Sequence, residues 1–372
     1  MSSYTANLSA KKGKNEDIPF SFNYKTDLAE FKFNGVFDGH GGDQIAIEGF
    51  KIIDQLFGQK ILELKEISEK ILHIMMNQVI FELNTHLRKF SSKSCSRCGS
   101  VYAGLVYVNT FDKKEFLVLS NVGDAVCCVK LFNKKTMTII RLADQVYEDQ
   151  EFYDAFITKK PSYKYKINLE FKQNLFYIKS INQLMRYIKI KDKVYSTCLN
   201  LIDNIYPTGF LGHSYDKKYN YCYPNIQVLN ITGQKFIGIC CSDGITDFEL
   251  VDPPNKYLPK FDNSKIIHNS IILQNEKRMS YSQYQFWNSY FDLINQNKKE
   301  NSAVLISKDA VKKWIEPIYF HGMFHKKDGS YTPIQEYLDT FHTEPCSLKE
   351  CWCKPCAYPE GDDCGVSVLF NL

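Results

Sequence analysis

The sequence has no run of about 18 apolar residues, so it predicts no membrane-spanning helix. Its first ten residues contain no apolar core of signal-peptide length, and Ser2 stands where N-myristoylation needs glycine. No Lys/Arg cluster is interleaved with stacking aromatic residues, and the net charge is only +4, so nucleic acid is not a predicted partner. We therefore expect a cytoplasmic protein that does not span a membrane.

The composition is that of a globular protein, with 44% apolar and 24% charged residues. At 372 residues the chain can form a single large domain with insertions. It contains 13 cysteines, and without an export signal these predict reduced thiols with room for a metal site.

Residues 33–42 carry the most information in the chain. An apolar strand pattern ends in Asp38, and His40 follows between glycines. Glycines allow a sharp turn and a close approach of the backbone to a ligand. An acid at such a turn suits a hard cation, whereas a His can be a ligand or a general acid. Taken alone, the stretch fits an ordinary strand-to-helix turn equally well.

Apolar periodicity predicts an α+β protein in which a meander of strands follows two helices. The predicted strands are 20–24, 31–37, 101–109, 115–119, 126–132, 136–142, 225–229, 236–241 and 365–369. The predicted helices are 45–56, 61–89, 282–293 and 307–315. Residues 1–14 are predicted to be a flexible or edge segment, and 143–223 fit no clear pattern.

Acidic residues recur at predicted strand ends or turns, mostly beside glycine. They are Glu16, Asp17, Asp38, Asp124, Asp243 and Asp362. Carboxylates gathered at one edge of a β-structure repel one another unless they hold cations, and oxygen-rich sites suit Mg²⁺ or Mn²⁺. Two such ions can activate a water for attack on phosphorus.

This ordered series resembles that of the metal-dependent (PPM, or type 2C) serine/threonine protein phosphatases. The most specific match is 36–42, Val-Phe-Asp-Gly-His-Gly-Gly, which is close to identical to the family signature. The other similar segments are 15–17, 98–103, 121–124, 239–247 and 362–368. Together the matches extend along nearly the whole chain.

The resemblance implies a four-layer α/β/β/α sandwich, in which two antiparallel β-sheets are flanked by helices. It implies one phosphatase domain over 1–372. Residues 145–223 would form a divergent flap-like region, and 251–345 a long insertion before the last strand.

The resemblance also implies a centre of two Mg²⁺ or Mn²⁺ ions with a weaker third position. Asp38 would bridge the two ions, with the Gly39 carbonyl as a further ligand. The other carboxylates would be distributed as follows: Asp243 and Asp362 on one ion, Glu16 on the other, Asp17 through water, and Asp124 with Asp243 at the third position.

The implied reaction is hydrolysis of phosphoserine or phosphothreonine in a phosphoprotein by a water that two metals activate. His40 would protonate the leaving oxygen. Lys12 replaces the family's phosphate-binding Arg, so it keeps the charge but loses the bidentate geometry. Thr246 and Asp363 also depart from the family pattern, whereas all the metal acids are retained.

Two hypotheses follow. The first is an active phosphatase; the alternative is a catalytically impaired pseudophosphatase that acts as a binding or scaffold subunit. In either case 145–223 or 251–345 could contact a larger assembly.

A cysteine cluster suggests a separate structural site. Cys95 and Cys98 have the spacing of a zinc knuckle, and a second group lies just before the last predicted strand. The hypothetical Zn²⁺ ligands are Cys95, Cys98, Cys346, Cys351, Cys353 and Cys356. The alternatives are surface thiols or disulfides, while Cys127, Cys128, Cys240 and Cys241 are predicted core residues.

Overall fold

The structure of the chain is a computed structural model. It describes residues 1–10, 15–95, 98–132, 137–142, 168–172, 175–179, 184–190, 193–196, 210–212, 222, 224–246, 249, 265–267, 276–279, 281–298, 300–315, 323–325, 331–333 and 362–372. Within 168–196, 266–267, 276–278, 281–282, 314–315, 323–325 and 331–333 it describes the backbone alone.

The described strands, in chain order, are β1 (Ser2–Ser9), β2 (Ile18–Lys25), β3 (Ala29–His40), β4 (Gly99–Thr110), β5 (Glu115–Val122), β6 (Val126–Phe132), β7 (Met137–Leu142), β8 (Asn168–Lys172), β9 (Leu175–Lys179), β10 (Leu184–Ile190), β11 (Lys193–Ser196), β12 (Leu211–Gly212), β13 (Asn225–Asn230), β14 (Lys235–Cys241), β15 (Lys265–Ile267), β16 (Glu276–Arg278), β17 (Met323–His325), β18 (Tyr331–Pro333) and β19 (Asp363–Asn371). The described helices are α1 (Gln44–Leu62), α2 (Glu69–Ser94), α3 (Asp243–Thr246), α4 (Tyr281–Gln296) and α5 (Ser302–Ile315).

Most strands belong to two large sheets. Sheet I has the order β13-β5-β4-β3-β2, with β12 beside β4. Sheet II has the order β1-β19-β14-β6-β7-β15-β16. Their described pairings are antiparallel, apart from the parallel pair β7 and β15. The meander predicted from the sequence is the run β4 to β7, which crosses from sheet I to sheet II.

Strand β4 shows why the two sheets pack face to face. Successive side chains of a strand point to opposite faces. In β4 the side chains of Ala103 and Leu105 lie in the core between the sheets, whereas Tyr102 and Val106 lie in the core under α1 and α2. Both faces of the strand are buried, which explains its nearly continuous apolar sequence.

The helices form the two outer layers. On sheet I, Ile53 of α1 and Leu83 of α2 pack with Phe33 of β3. On sheet II, Trp287 of α4 lies in the same buried cluster as Val368 of β19. The predicted four-layer α/β/β/α sandwich is therefore confirmed.

Several predicted element boundaries need correction. The predicted helix over 61–89 is wrong at its start, because α1 continues to Leu62 and α2 begins at Glu69. Ser68 separates them: its backbone is extended, and its hydroxyl accepts a hydrogen bond from the Ile71 N–H. The unassigned region 143–223 contains a four-stranded sheet, β11-β10-β9-β8.

The first residues form an edge strand, which is one of the two structures predicted for residues 1–14. β1 pairs with β19 along its whole length, from Ser2 opposite Phe370 to Ser9 opposite Asp363, at the edge of sheet II. Among the described residues, no helix is both long and apolar enough to cross a membrane.

A buried ion pair joins sheet II to its helical layer. Arg141 of β7 donates to Glu249 at 2.5 Å, and the indole N–H of Trp287 donates to the other oxygen of the same carboxylate at 2.6 Å. Both charged side chains are almost fully buried, at 2% and 1% exposed. Glu249 also donates its N–H to the carbonyl of Thr246, so the residue of the ion pair is linked to the end of α3.

We expect Glu249→Ala to destabilise the protein by about 3–5 kcal/mol, because the change leaves the Arg141 charge buried without its carboxylate. The matched control is Glu30→Ala, which removes an exposed pair with Lys25 and should cost less than about 1 kcal/mol. Urea unfolding measures both. Equal losses in the two variants would contradict the role given to the buried pair.

Candidate functional site

The glycine signature forms the turn from β3 into α1. Gly41 and Gly42 have φ values of 73° and 131°, a region that favours glycine. A Cβ on Gly42 would also lie 3.2 Å from the Cys98 sulfur. The turn therefore requires these glycines, and it leaves Asp38 and His40 at the end of the strand.

Chain segments that are distant in sequence meet at this strand end. The Gly39 N–H donates to the Glu16 carbonyl at 3.2 Å, and the Asp243 N–H donates to Asp38 Oδ2 at 3.4 Å. Asp362 precedes β19, and its carbonyl accepts from the N–H of Ala10 at 2.9 Å. The acids therefore collect where the ends of sheet I and sheet II come together.

The Asp38 carboxyl lies in an unfavourable electrostatic environment. Burial is the largest cause that raises its pKa well above the ordinary value, and neighbouring carboxylates raise it further. These neighbours are Asp17, Asp243, Asp124 and Asp362. An ionised Asp38 is therefore costly until positive charge enters the cluster.

Asp17 is more deeply buried, with 1% of its surface exposed. Burial raises its pKa from 3.8 to about 8, although a hydrogen bond from the Ser242 hydroxyl opposes this shift. The Gly365 N–H also donates to Asp17 Oδ2, at 2.8 Å. Asp17 is thus fixed in place and becomes a strong ligand only when a cation compensates its charge.

His40 follows Asp38 at the mouth of the same turn. Burial lowers its pKa from 6.5 to about 4, so its ring is neutral at pH 7. A neutral imidazole does not supply a proton. Any role as a general acid therefore requires the bound substrate to raise this pKa.

Asp363 supports the site through the backbone. Its Oδ2 accepts the Glu16 N–H at 2.9 Å, and its side chain is 2% exposed. A Cβ on Gly244 would overlap the Asp363 carbonyl oxygen. The Ser-Asp-Gly segment and the start of β19 are therefore packed backbone to backbone, which explains the glycine at 244.

The structure places five of the predicted acids in one electrostatic cluster. They are Asp17, Asp38, Asp124, Asp243 and Asp362. Glu16 contributes the backbone contacts to Gly39 and Asp363. Lys12 and the cysteines at 346, 351, 353 and 356 lie outside the described residues.

The cysteines behave in two ways. Cys95 and Cys98 form a disulfide, with their Cα atoms 5.4 Å apart. A disulfide sulfur is not a thiolate, so this pair does not ligate Zn²⁺ in this state, and the zinc site stays a prediction. Cys127, Cys128, Cys240 and Cys241 are buried free thiols, which confirms them as core residues.

Sequence reasoning missed the residues that hold Asp17. Its backbone N–H donates to Asn15 Oδ1 at 3.1 Å, while Asn7 of β1 donates to its carbonyl. The Ser242 hydroxyl is the third contact. Ser242 lies beside a predicted ligand in the Ser-Asp-Gly motif, but Asn7 has no local signal because its role depends on the pairing of β1 with β19.

The chemistry of the donors fits a hard divalent cation, because they are carboxylates and a backbone carbonyl. None of these groups carries a positive charge that could neutralise the others. In the described part of the chain, no group of three or more His, Cys, Asp or Glu side chains has the geometry of a metal site.

Comparisons with known proteins find similarity among solved structures. No protein-family model and no curated protein matches this sequence. A sex-determining protein of C. elegans matches with a TM-score of 0.55 at 12% identity, over 99% of this chain and 64% of that one. A serine-threonine phosphatase 2C from Toxoplasma gondii matches with a TM-score of 0.48 at 11% identity, over 98% of each chain. A bacterial serine phosphatase matches with a TM-score of 0.43 at 12% identity, over 98% of this chain and 96% of that one.

At these identities the likeness is one of fold. The worm protein, with a TM-score above 0.5, carries the comparison, and this chain spans 64% of its length. The resemblance that the motifs indicate is thereby confirmed at the level of the fold.

The raised pKa of Asp17 makes stability depend on pH. The protonated carboxyl stabilises the metal-free fold in full below pH 3.8, and this stabilisation is lost as the pH rises through about 8. We therefore expect the melting temperature of the metal-free protein to fall between about pH 5 and about pH 8. Mg²⁺ or Mn²⁺ should raise it more at the higher pH, because cations and protons compete for the carboxylates.

The variant Asp17→Asn should reduce this pH dependence, and Asp38 should account for part of what remains, whereas the exposed control Asp27→Asn should retain all of it. Thermal unfolding followed by circular dichroism measures both. A melting temperature that stays constant or rises over this window would rule out the charge repulsion described for the site.

Proposed function

We propose that this chain is a metal-dependent protein serine/threonine phosphatase, a divergent member of the PPM family. The observation that supports this most strongly is the electrostatic cluster around Asp38. Carboxylates from separate segments act on one strand-end aspartate, and His40 lies two residues further along the chain. A divalent cation has the charge and the oxygen preference to offset the repulsion within this set.

The proposed ligands follow from this arrangement. Asp38 and the Gly39 carbonyl would be central to holding the two ions. The other acids would complete the centre as predicted from the sequence: Glu16, Asp17, Asp124, Asp243 and Asp362. When bound, Mg²⁺ or Mn²⁺ would neutralise the carboxylates and the phosphate charge and would lower the pKa of water for attack on phosphorus.

Two side chains of the protein would orient the phosphate and protonate the leaving group. Lys12 would bind the phosphate as a point charge. His40 would donate a proton to the serine or threonine oxygen as it leaves. Its lowered pKa of about 4 fits this task only when the anionic phosphate lies beside the ring and raises the pKa.

The alternative function is a binding or scaffold subunit with impaired catalysis, and two features favour it. Burial keeps His40 neutral at pH 7, and Lys12 lacks the bidentate geometry of the Arg that it replaces. The two functions differ in whether added metal gives turnover.

We further propose a phosphoprotein substrate in the cytoplasm, and selection of that substrate or of an assembly by 145–223 or 251–345. The second region includes α4 and α5, which cover sheet II as an outer layer. Contacts to partners would then come from the segments on either side of these helices.

Turnover of a phosphoserine peptide with Mn²⁺ tests the proposal. Asp38→Asn and Asp243→Asn should each lower kcat/KM by at least about 100-fold, because each removes a ligand charge from the centre. Asp27→Asn, an exposed substitution of the same kind, should leave the rate unchanged. A wild-type rate no higher than that of Asp38→Asn would leave only the scaffold function.

The proposed role of His40 predicts a dependence on the leaving group. An alkyl phosphate needs a proton on its leaving oxygen, whereas p-nitrophenyl phosphate does not, because its phenolate is a stable leaving group. His40→Asn should therefore cost about 100-fold on a phosphoserine peptide and much less on the aryl ester. Equal losses on both substrates would exclude His40 as the general acid.

A further inference from the structure

The Cys95–Cys98 disulfide lies between the end of α2 and the start of β4. Cys95 caps the C-terminus of α2, its N–H donating to the Ser91 carbonyl at 3.0 Å, and Cys98 immediately precedes β4. The Ser91 hydroxyl donates to the Cys95 carbonyl at 2.8 Å, and the Cys98 N–H donates to the same carbonyl at 3.1 Å. Backbone contacts therefore hold the two cysteines close together independently of the sulfur–sulfur bond.

The pair touches the turn that carries the proposed general acid. β3 and β4 are paired so that His40 lies opposite Gly99, the residue after Cys98. The Cys98 sulfur lies 2.9 Å from the Gly41 carbonyl oxygen. A Cβ on Gly42 would lie 3.2 Å from the same sulfur, so the sulfur contacts both glycines of the turn.

The two cysteines differ in burial. Cys98 is fully buried, whereas Cys95 is partly exposed. Among the described cysteines, the five of the sheets are buried and Cys222 is partly exposed, and all six are free thiols. Within the described chain, the disulfide is therefore confined to the pair that contacts the glycine turn.

We propose that Cys95 and Cys98 form a redox-active dithiol site that changes the glycine turn after His40 in response to small thiols and their disulfides. The inference has two parts. That the pair regulates the candidate centre rests on the proposed phosphatase function, whereas the existence of the thiol–disulfide site rests only on the contacts of the pair.

The exchange balances with a small thiol as the reductant. One thiolate attacks the sulfur of Cys95, the less buried of the two residues, the bond between the two cysteines breaks, and Cys98 leaves as the thiolate and takes up a proton. A second thiolate attacks the mixed disulfide, which releases the small disulfide and the Cys95 thiol. Two electrons and two protons pass to the protein, and the reverse sequence oxidises it.

The consequence for the turn follows from the hydrogen on sulfur. A disulfide sulfur has no hydrogen, so it meets the Gly41 carbonyl without a hydrogen bond. A Cys98 thiol can donate one, since S–H is a weak donor. Reduction thus adds a hydrogen bond that holds Gly41. Because this bond stabilises the reduced form, small thiols reduce the disulfide more readily.

A redox titration of the full chain tests this inference. The protein is equilibrated with ratios of linear and cyclic dithiothreitol, free thiols are alkylated, and the pair is counted by mass spectrometry. Cys95 and Cys98 should convert together as a two-electron couple. Amide exchange at 41–44 should slow several-fold on reduction with the same midpoint, because the new hydrogen bond holds the turn.

Two variants sharpen the test. Cys95→Ser cannot form the bond but keeps the Cys98 thiol, so its exchange at 41–44 should match the reduced protein in every buffer. Cys222→Ser, the same change at a free and partly exposed cysteine, should behave as wild type. Two results would overturn the proposal. One is a cysteine pair that stays oxidised or stays reduced at every dithiothreitol ratio, and the other is amide exchange at 41–44 that does not change with the redox state of the pair.

Other outcomes separate this inference from neighbouring hypotheses. If the reduced pair binds one equivalent of added Zn²⁺ and is protected from alkylation by it, the cysteines are metal ligands and the redox site is wrong. If the exchange at 41–44 follows the redox state but no phosphopeptide turns over in either state, the redox site stands and the proposed phosphatase function falls.

Discussion

Buried hydrogen bonds between the two sheets set the register in which their strand ends meet. The Asn34 side chain of β3 is fully buried and donates to the Ser367 hydroxyl of β19 at 2.8 Å. Ser367 in turn donates to the Phe20 carbonyl of β2 at 3.1 Å. A buried amide without partners is costly, so sliding one sheet past the other would lose these bonds. β3 runs toward its acid, Asp38, and β19 runs away from Asp362, so this register brings both acids to the same end.

The same register creates the electrostatic problem that defines the site. Carboxylates that the sequence keeps far apart are brought into a region where burial already raises the pKa of Asp17 and Asp38. The fold supplies hydrogen-bond donors for part of this charge, such as the Gly365 N–H on Asp17. These donors do not cancel the mutual repulsion, and a divalent cation is the partner whose charge and oxygen preference do. Stability of the metal-free chain and affinity for metal are therefore opposing consequences of one arrangement.

Much of the architecture could be predicted from local patterns. The alternation in β2 and the start of β3, the apolar runs of β4 to β6 and the glycine turn at 41–42 are local features, and the order of acidic motifs indicated the family fold. The break between α1 and α2 was predicted too early in the chain because the apolar period continues from 61 into α2, whereas the Ser68 cap is a single residue. The strands in 168–196 were missed because their Tyr- and Lys-rich sequence has no clean alternation. The contacts of Asn7 and Asn34 could not be predicted, since they depend on pairing between the two ends of the chain.

Asp363 stands where the family has Asn, and the change alters the surroundings of the acids without loss of structure. The contact observed here is to an oxygen that accepts the Glu16 N–H. An Asn oxygen accepts that bond equally well, so the hydrogen bond does not require the acid. What the carboxylate adds is charge, and that charge raises the pKa of Asp17 further. The substitution therefore preserves the geometry of the first acidic segment while it increases the repulsion within the cluster. A cation at this centre would stabilise the fold more than it would with Asn at 363.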